Sequence, residues 1–171
     1  MAPILRDRYL SVGRDRPLVE LDVSVRARRR GILTPAVVAG VAYARGAFYR
    51  ADLVTELVPD ASSLSDWLGR SAGGSARSSL LRRAGDAVRS LEAARVLHVD
   101  LSVGNILLSE HGPAWVLDLD RCTILPESAP APAGPMRRRL ERSVREAARR
   151  VGAPLSAAEW EALRAGFDGG P

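Results

Sequence analysis

Apolar residues recur along this chain at two periods, and each change of period marks an element. From Pro17, the residues Leu18, Leu21 and Val25 return at helical spacing, and the run ends on Arg26 and Arg28–Arg30 before Gly31. Proline at a first position, cations in the last turn and a following glycine fit an α-helix. Thr34-Pro35 breaks the chain. Runs rich in valine and aromatics at 36–43 and 48–57 flank Arg45-Gly46 and predict a β-hairpin. On its second strand Tyr49, Ala51, Leu53, Thr55 and Leu57 share one face, with Arg50, Asp52 and Glu56 on the other. A short apolar segment around Leu64, Trp67 and Leu68 leads to a linker at 69–75, where Gly73-Gly74 forms a flexible joint. Over 76–95, Leu80, Ala84, Val88 and Leu91 follow the 3.6-residue period of a helix packed by one face.

The second half repeats the alternation. Ile106-Leu107-Leu108 and Trp115-Val116-Leu117, separated by Glu110-His111-Gly112-Pro113, predict a second hairpin. A Pro/Ala-rich loop at 126–135, expected to be mobile, precedes a helix marked by Met136, Leu140, Val144 and Val151. A last helix over 157–167 has Ser156 as N-cap and Glu159 as its capping-box partner. Residues 1–16 show no clear period and are expected to be coil or an edge segment.

Composition narrows the class. A chain of 171 residues with 46% hydrophobic and 26% charged content is a globular domain able to bury a core. Its most apolar stretch, 32–44, is interrupted by Pro35 and Gly40 and is too short to cross a bilayer. The opening residues alternate arginine and aspartate without a signal-peptide core, which points to the cytosol. The single cysteine, Cys122, excludes an internal disulfide and is expected to be a small buried hydrophobe. All 25 basic residues are arginine, so no mechanism that needs a lysine is complete in these residues. The 136–151 helix carries seven arginines against Glu141 and Glu146, a surplus equal to the net charge of +5.

The candidate chemistry lies between His98 and Arg121. Asn105 opens one strand of the second hairpin and Asp118 closes the other, so pairing brings them together, with Asp100 on the loop just before. An amide and two carboxylates are hard oxygen ligands, suited to magnesium and the phosphates it carries. Asp100 to Asn105 is five residues and Asn105 to Asp118 thirteen, with His98 two residues before the aspartate. That matches the catalytic loop and metal-binding aspartate of protein kinases. The plain alternative is a hairpin with solvated polar ends. A calcium loop on Asp118-x-Asp120 is excluded, because Thr123 stands where such a loop needs glycine.

Three stretches carry a closer likeness: Arg30-Gly-Ile-Leu-Thr-Pro-Ala-Val-Val-Ala39, Tyr49-Arg-Ala-Asp-Leu-Val-Thr-Glu56, and the Asp100/Asn105 loop with Val116-Leu-Asp-Leu-Asp-Arg121. Over roughly residues 5–150 the chain resembles the bacterial lipopolysaccharide kinases, in particular the 3-deoxy-D-manno-octulosonic acid (Kdo) kinase family. The Asp-x-Asp-Arg ending, in place of the Asp-Phe-Gly of protein kinases, favours that family. The resemblance implies an α+β, protein-kinase-like fold with a partial small lobe (helix plus antiparallel hairpin) and a mostly helical large lobe. Residues 1–58 would be the partial small lobe, 59–75 the hinge or linker, and 76–171 the large lobe.

It also implies transfer of phosphate from ATP, with magnesium, to a Kdo sugar of the lipid A precursor at the cytosolic face of the inner membrane. Carried over by position, Asp100 orients the sugar hydroxyl and accepts its proton, while Asn105 and Asp118 hold magnesium. Glu20 matches the small-lobe helix glutamate that pairs with a strand lysine, and Thr55, Glu56 and Leu57 border the adenine. Asp120 and Arg121 form either a local ion pair or a substrate contact, and His98 is expected to be a packed scaffold residue.

The chain departs from the family in one respect. Only 19 residues precede Glu20, and they hold neither a glycine-rich loop nor a lysine. Either the sequence is N-terminally truncated or part of the nucleotide grip is lost, and these residues made alone are expected to be weakly active. Two alternatives are a small-molecule kinase of the aminoglycoside-phosphotransferase type and a non-catalytic kinase-like binding module. Arg137, Arg138, Arg142 and Arg145 are expected either to face anionic lipid or to form a solvated helix face. Nucleic acid is not an expected partner, since no aromatic interleaving accompanies the arginines.

Overall fold

The computed structural model describes residues 8–10, 16–45, 48–70 and 73–169. Strand β1 (Arg8–Leu10) forms the expected edge segment, pairing antiparallel with β3 (Phe48–Thr55), whose other side pairs with β2 (Val37–Arg45). The hairpin's register runs from Val37 opposite Thr55 to Arg45 opposite Phe48, with an irregularity between Val37 and Ala39. Gly46 of the expected turn lies outside the described residues, as do the side chains of Tyr49, Arg50 and Ala51. Leu53 and Asp52, on opposite faces, are both half-buried, so both sides of the strand are partly covered.

Helix α1 (Arg16–Arg29) forms where the periodicity placed it, but turns a different face inward. Leu18 is 60% exposed and Val25 39%, whereas Val23 and Ala27 are buried and Val19 packs against the core. Arg30, seven residues after Val23, explains the rotation. Its Nη1 donates to the carbonyls of Ala94 (2.9 Å) and Leu125 (2.8 Å), which pins the Val23 side of the helix to the rest of the molecule.

The remainder is organised around α3 (Ser75–Ala93), which buries all four periodic residues, Leu80, Ala84, Val88 and Leu91. Before it come β4 (Ala61–Ser63) and α2 (Leu64–Arg70). After it come β5 (Val96–His98), a single 3-10 turn at Val103–Asn105, β6 (Ile106–Ser109), β7 (Trp115–Val116) and β8 (Cys122–Ile124). Strands β4, β6 and β7 form one small antiparallel sheet, and β5 with β8 another. From α3, Arg83 donates to the carbonyls of Ser109, Glu110 and Gly112, fixing the turn of the second hairpin.

Helix α4 (Pro135–Arg150) buries Met136, Leu140 and Val144 as expected, then Ala147 and Ala148. Val151 is instead the C-cap and 44% exposed, because the helix has ended and the chain turns away at Gly152. The loop before α4 is tied down where Arg95 Nε donates to the Ala129 carbonyl (2.8 Å). Helix α5 (Ala157–Asp168) has the expected capping box of Ser156 and Glu159. Glu159 does more than cap: buried Arg77 grips it through Nε (2.6 Å) and Nη2 (2.8 Å), and this pairing holds the Glu159 carboxyl down at about 2. Helices α3 and α5 meet at glycines. A Cβ added to Gly85 would lie 2.3 Å from the Leu163 carbonyl, and one on Gly166 would lie 2.1 Å from that of Arg82.

Candidate active site

Asp100, Ser102, Asn105 and Asp118 are held out of the core by apolar neighbours that are held in. Leu101 and Val103 are buried on either side of Ser102, and Leu119 is buried just after Asp118. Ser102 organises the loop: its hydroxyl accepts from Gly104 N (3.2 Å) and donates to Asn105 Oδ1 (2.6 Å). Val103 N donates to Ser143 Oγ (3.1 Å), which ties the loop to α4.

Past β7 the ladder continues by one bond, Leu117 N to the Asn105 carbonyl (2.8 Å). That bond brings Asn105 Nδ2 to 3.4 Å from Asp118 Oδ2, the convergence the hairpin spacing predicts. Asp118 has φ 59°, a left-handed conformation that aspartate tolerates better than most residues and that marks strained functional positions. His98, only 1% exposed, steadies it from behind: Nε2 donates to the Leu117 carbonyl (3.2 Å). Burial lowers the imidazole pKa, so His98 is a neutral packed residue, as expected. Its backbone N–H donates to Met136 Sδ (3.3 Å).

Four carboxylates face this region. Burial, then the charges of Asp118 and Asp120, push the Glu20 carboxyl up to about 7. The Cys122 thiol is pushed up to about 12, by burial first and then by Asp118, Asp120, Glu20 and Asp100. Cys122 is therefore an inert buried thiol. Among the described residues no group of three His, Cys, Asp or Glu side chains is arranged to hold a metal alone. Asp118 offers a hard oxygen donor in a field of excess negative charge, while Asn105 turns Nδ2 toward it and Oδ1 toward Ser102. Rotating that amide would set a second oxygen beside Asp118, which suits a divalent ion that keeps waters or phosphates as its other ligands.

Asp100 is bound by two arginines. Arg121 Nη1 donates to Oδ2, and Arg139 Nη1, from α4, lies 3.4 Å from Oδ1. Arg121 thus reaches back to the preceding loop. Thr55, Glu56 and Leu57 sit exposed at the end of β3, where Glu56 N donates to the Ala36 carbonyl (2.8 Å). The described interactions do not link them to the acidic cluster. Sequence reasoning missed Arg139 and Ser143, whose only signal was an undifferentiated basic helix. It also missed Ser102, whose position between Asp100 and Asn105 was a usable clue.

The arginines of α4 are not equivalent. Arg137, expected to face lipid, instead grips Glu92 with two nitrogens (2.9 and 2.8 Å) and Asp168 (2.7 Å). Arg145 lies over the Trp160 ring at 5.1 Å, while Arg138, Arg142 and Arg149 are exposed.

A helix against a small antiparallel sheet, followed by a mostly helical region whose hairpin brings Asn105 to Asp118, makes this a protein-kinase-like α+β protein. The chain belongs to the lipopolysaccharide kinase (Kdo/WaaP) family, whose family model matches residues 1–167. It is 33% identical over 97 residues to a 3-deoxy-D-manno-octulosonic acid kinase of Vibrio cholerae serotype O1, covering 57% of this chain and 40% of that one. A protein of the same name from Pasteurella multocida is 27% identical over 167 residues, 94% of this chain and 66% of its own. The one from Photobacterium profundum is 28% identical over 168 residues, 96% and 69%. The chain spans half or less of the length of the Vibrio relatives it matches.

Proposed function

We propose that this protein transfers the γ-phosphoryl group of ATP to a hydroxyl of a Kdo sugar on a lipid A precursor. The observation that carries this is the Asn105–Asp118 contact at 3.4 Å, formed by a hairpin that follows Asp100 at kinase-type spacing. Asp100 orients the acceptor hydroxyl and takes its proton as the sugar oxygen bonds to the γ-phosphorus. The bond from that phosphorus to the β–γ bridging oxygen breaks, and ADP leaves with the electron pair. Asn105 and Asp118 are the residues that would hold magnesium, which when bound neutralises charge on the nucleotide phosphates. Glu20 faces the same cluster from the small-lobe helix, and Thr55 to Leu57 border the adenine. In this scheme residues 1–58 form the small-lobe part and 76–171 the large lobe. At the start of the joint at 59–75, Ser62 and Ser63 pair with Leu108 and Leu107.

Label transfer from γ-labelled ATP to Kdo-lipid A tests the assignment. Asp100→Asn should lower the rate by roughly 10²–10⁴, the usual worth of a general base. Transfer at an undiminished rate would remove Asp100 from the mechanism. These 171 residues contain no lysine, so made alone they should turn over below the roughly 1–100 s⁻¹ of kinases, because positioning and charge stabilisation supply most of that rate. The same absence favours one second reading, a kinase-like module that binds without catalysing; it would show no magnesium-dependent ATP binding.

The acceptor is membrane-embedded, and α4 supplies the means of reaching it. Arg138, Arg142 and Arg149 are exposed on one helix, and each basic residue contributes roughly 1 kcal/mol near an anionic surface. No helix among the described residues is long and apolar enough to cross a membrane. On the strength of the exposed arginines of α4, we place the protein at the periphery of the cytosolic face of the inner membrane. In liposome sedimentation, an Arg138→Gln/Arg142→Gln/Arg149→Gln variant should lose binding to anionic vesicles. Equal binding of the wild type to neutral and anionic vesicles would contradict the idea.

A further inference from the structure

The aspartate assigned as base is held by two guanidiniums from different parts of the chain. Arg121 comes from the segment leading into β8 and Arg139 from α4. Asp100 is the only described ion-pair partner of either arginine, and both are open to solvent, with 58% and 49% of their side-chain surface exposed. Exposed pairs of this kind are weak, so they exchange readily for another anion. A carboxylate already sits between the two arginines in the protein itself, which shows that their spacing fits a carboxylate. Helix α4 carries the surface onward. One turn beyond Arg139, Ser143 bonds the loop, and Ser65, Ser102 and Ser143, with Glu146 and its partner Arg150, line a cavity of about 270 Å³. A basic end beside the base and a hydroxyl-lined pocket beyond it suit a polyhydroxylated sugar that carries an acid group.

We propose that Arg121 and Arg139 form the acceptor's carboxylate subsite. The acid group of the sugar replaces Asp100 between the guanidiniums, which fixes the ring and leaves Asp100 to meet the hydroxyl. The arginines are thus specificity-determining residues, and the protein discriminates sugar acids from neutral sugars. This rests on the assignment of Asp100 as the base.

Calorimetric titration of the protein with Kdo, with its methyl ester, and separately with ATP and magnesium tests the subsite. The wild type should bind the acid at least about tenfold more tightly than the ester, the scale of a charge-assisted bond to a carboxylate. Arg121→Gln and Arg139→Gln should each bring the two ligands within about threefold, with nucleotide affinity unchanged. The comparison of acid with ester in the wild type needs no variant, so a folding defect cannot obscure it. Equal affinity for acid and ester with nucleotide binding intact would overturn the subsite and leave the kinase assignment standing. So would a preference for the acid that survives both substitutions. Failure to bind either nucleotide or sugar would overturn both.

Discussion

Glu20 shows how a single side chain records the state of this site. Its carboxyl is raised from 4.5 to about 7, by burial first and then by Asp118 and Asp120. The folded protein therefore keeps a proton that the unfolded chain releases between pH 4.5 and 7. Stability falls as pH rises through that window and levels off above it. Glu20→Gln removes the effect: thermal unfolding of variant and wild type should coincide below pH 4.5, with the variant more stable at pH 8. Magnesium should raise the wild-type midpoint at pH 8 more than it raises the variant's, because a cation beside Asp118 lowers the Glu20 pKa. Parallel pH curves for the two proteins would contradict this assignment of charge. The sequence made Asp100, Asn105 and Asp118 legible because their spacing is local and each is bracketed by buried apolar residues. It could not single out Arg139 as the partner of Asp100, since that contact spans 39 residues and nothing distinguishes Arg139 from its neighbours.

At the scale of elements, the close approach of α3 and α5 is the feature most sensitive to one atom. Gly85→Ala or Gly166→Ala forces a methyl group against a backbone carbonyl, at 2.3 or 2.1 Å, where no flexible side chain can yield. Each should cost at least about 1–3 kcal/mol, the usual penalty for overpacking. Urea denaturation measures it, and a loss below 0.5 kcal/mol would mean the helices slide apart freely. Periodicity found all of the long helices and the first hairpin. It mis-set the rotation of α1, because Leu18, Leu21 and Val25 make a plausible stripe on their own. The face that is buried is decided by Arg30 reaching Ala94 and Leu125, contacts 64 and 95 residues away. Strands β4, β5 and β8 are three residues each, shorter than any repeat the sequence can display.

Across the whole molecule, the fold converges one end of β8, the second hairpin and α1 on a single acidic region, and lays α4 along the loop that carries Asp100. The buried pair Arg77–Glu159 and the Arg137–Glu92 contact lock α5 and α4 onto α3, so the loop rests on a rigid base. On this account nucleotide is held through a metal shared by Asn105 and Asp118. Calorimetric titration of ATP with and without magnesium, for wild type and Asp118→Ala, tests that most directly. The wild type should bind ATP only when magnesium is present, and the variant at least about tenfold more weakly, the worth of one charge-assisted ligand. ATP affinity that is the same in both proteins, or indifferent to magnesium, would contradict the account.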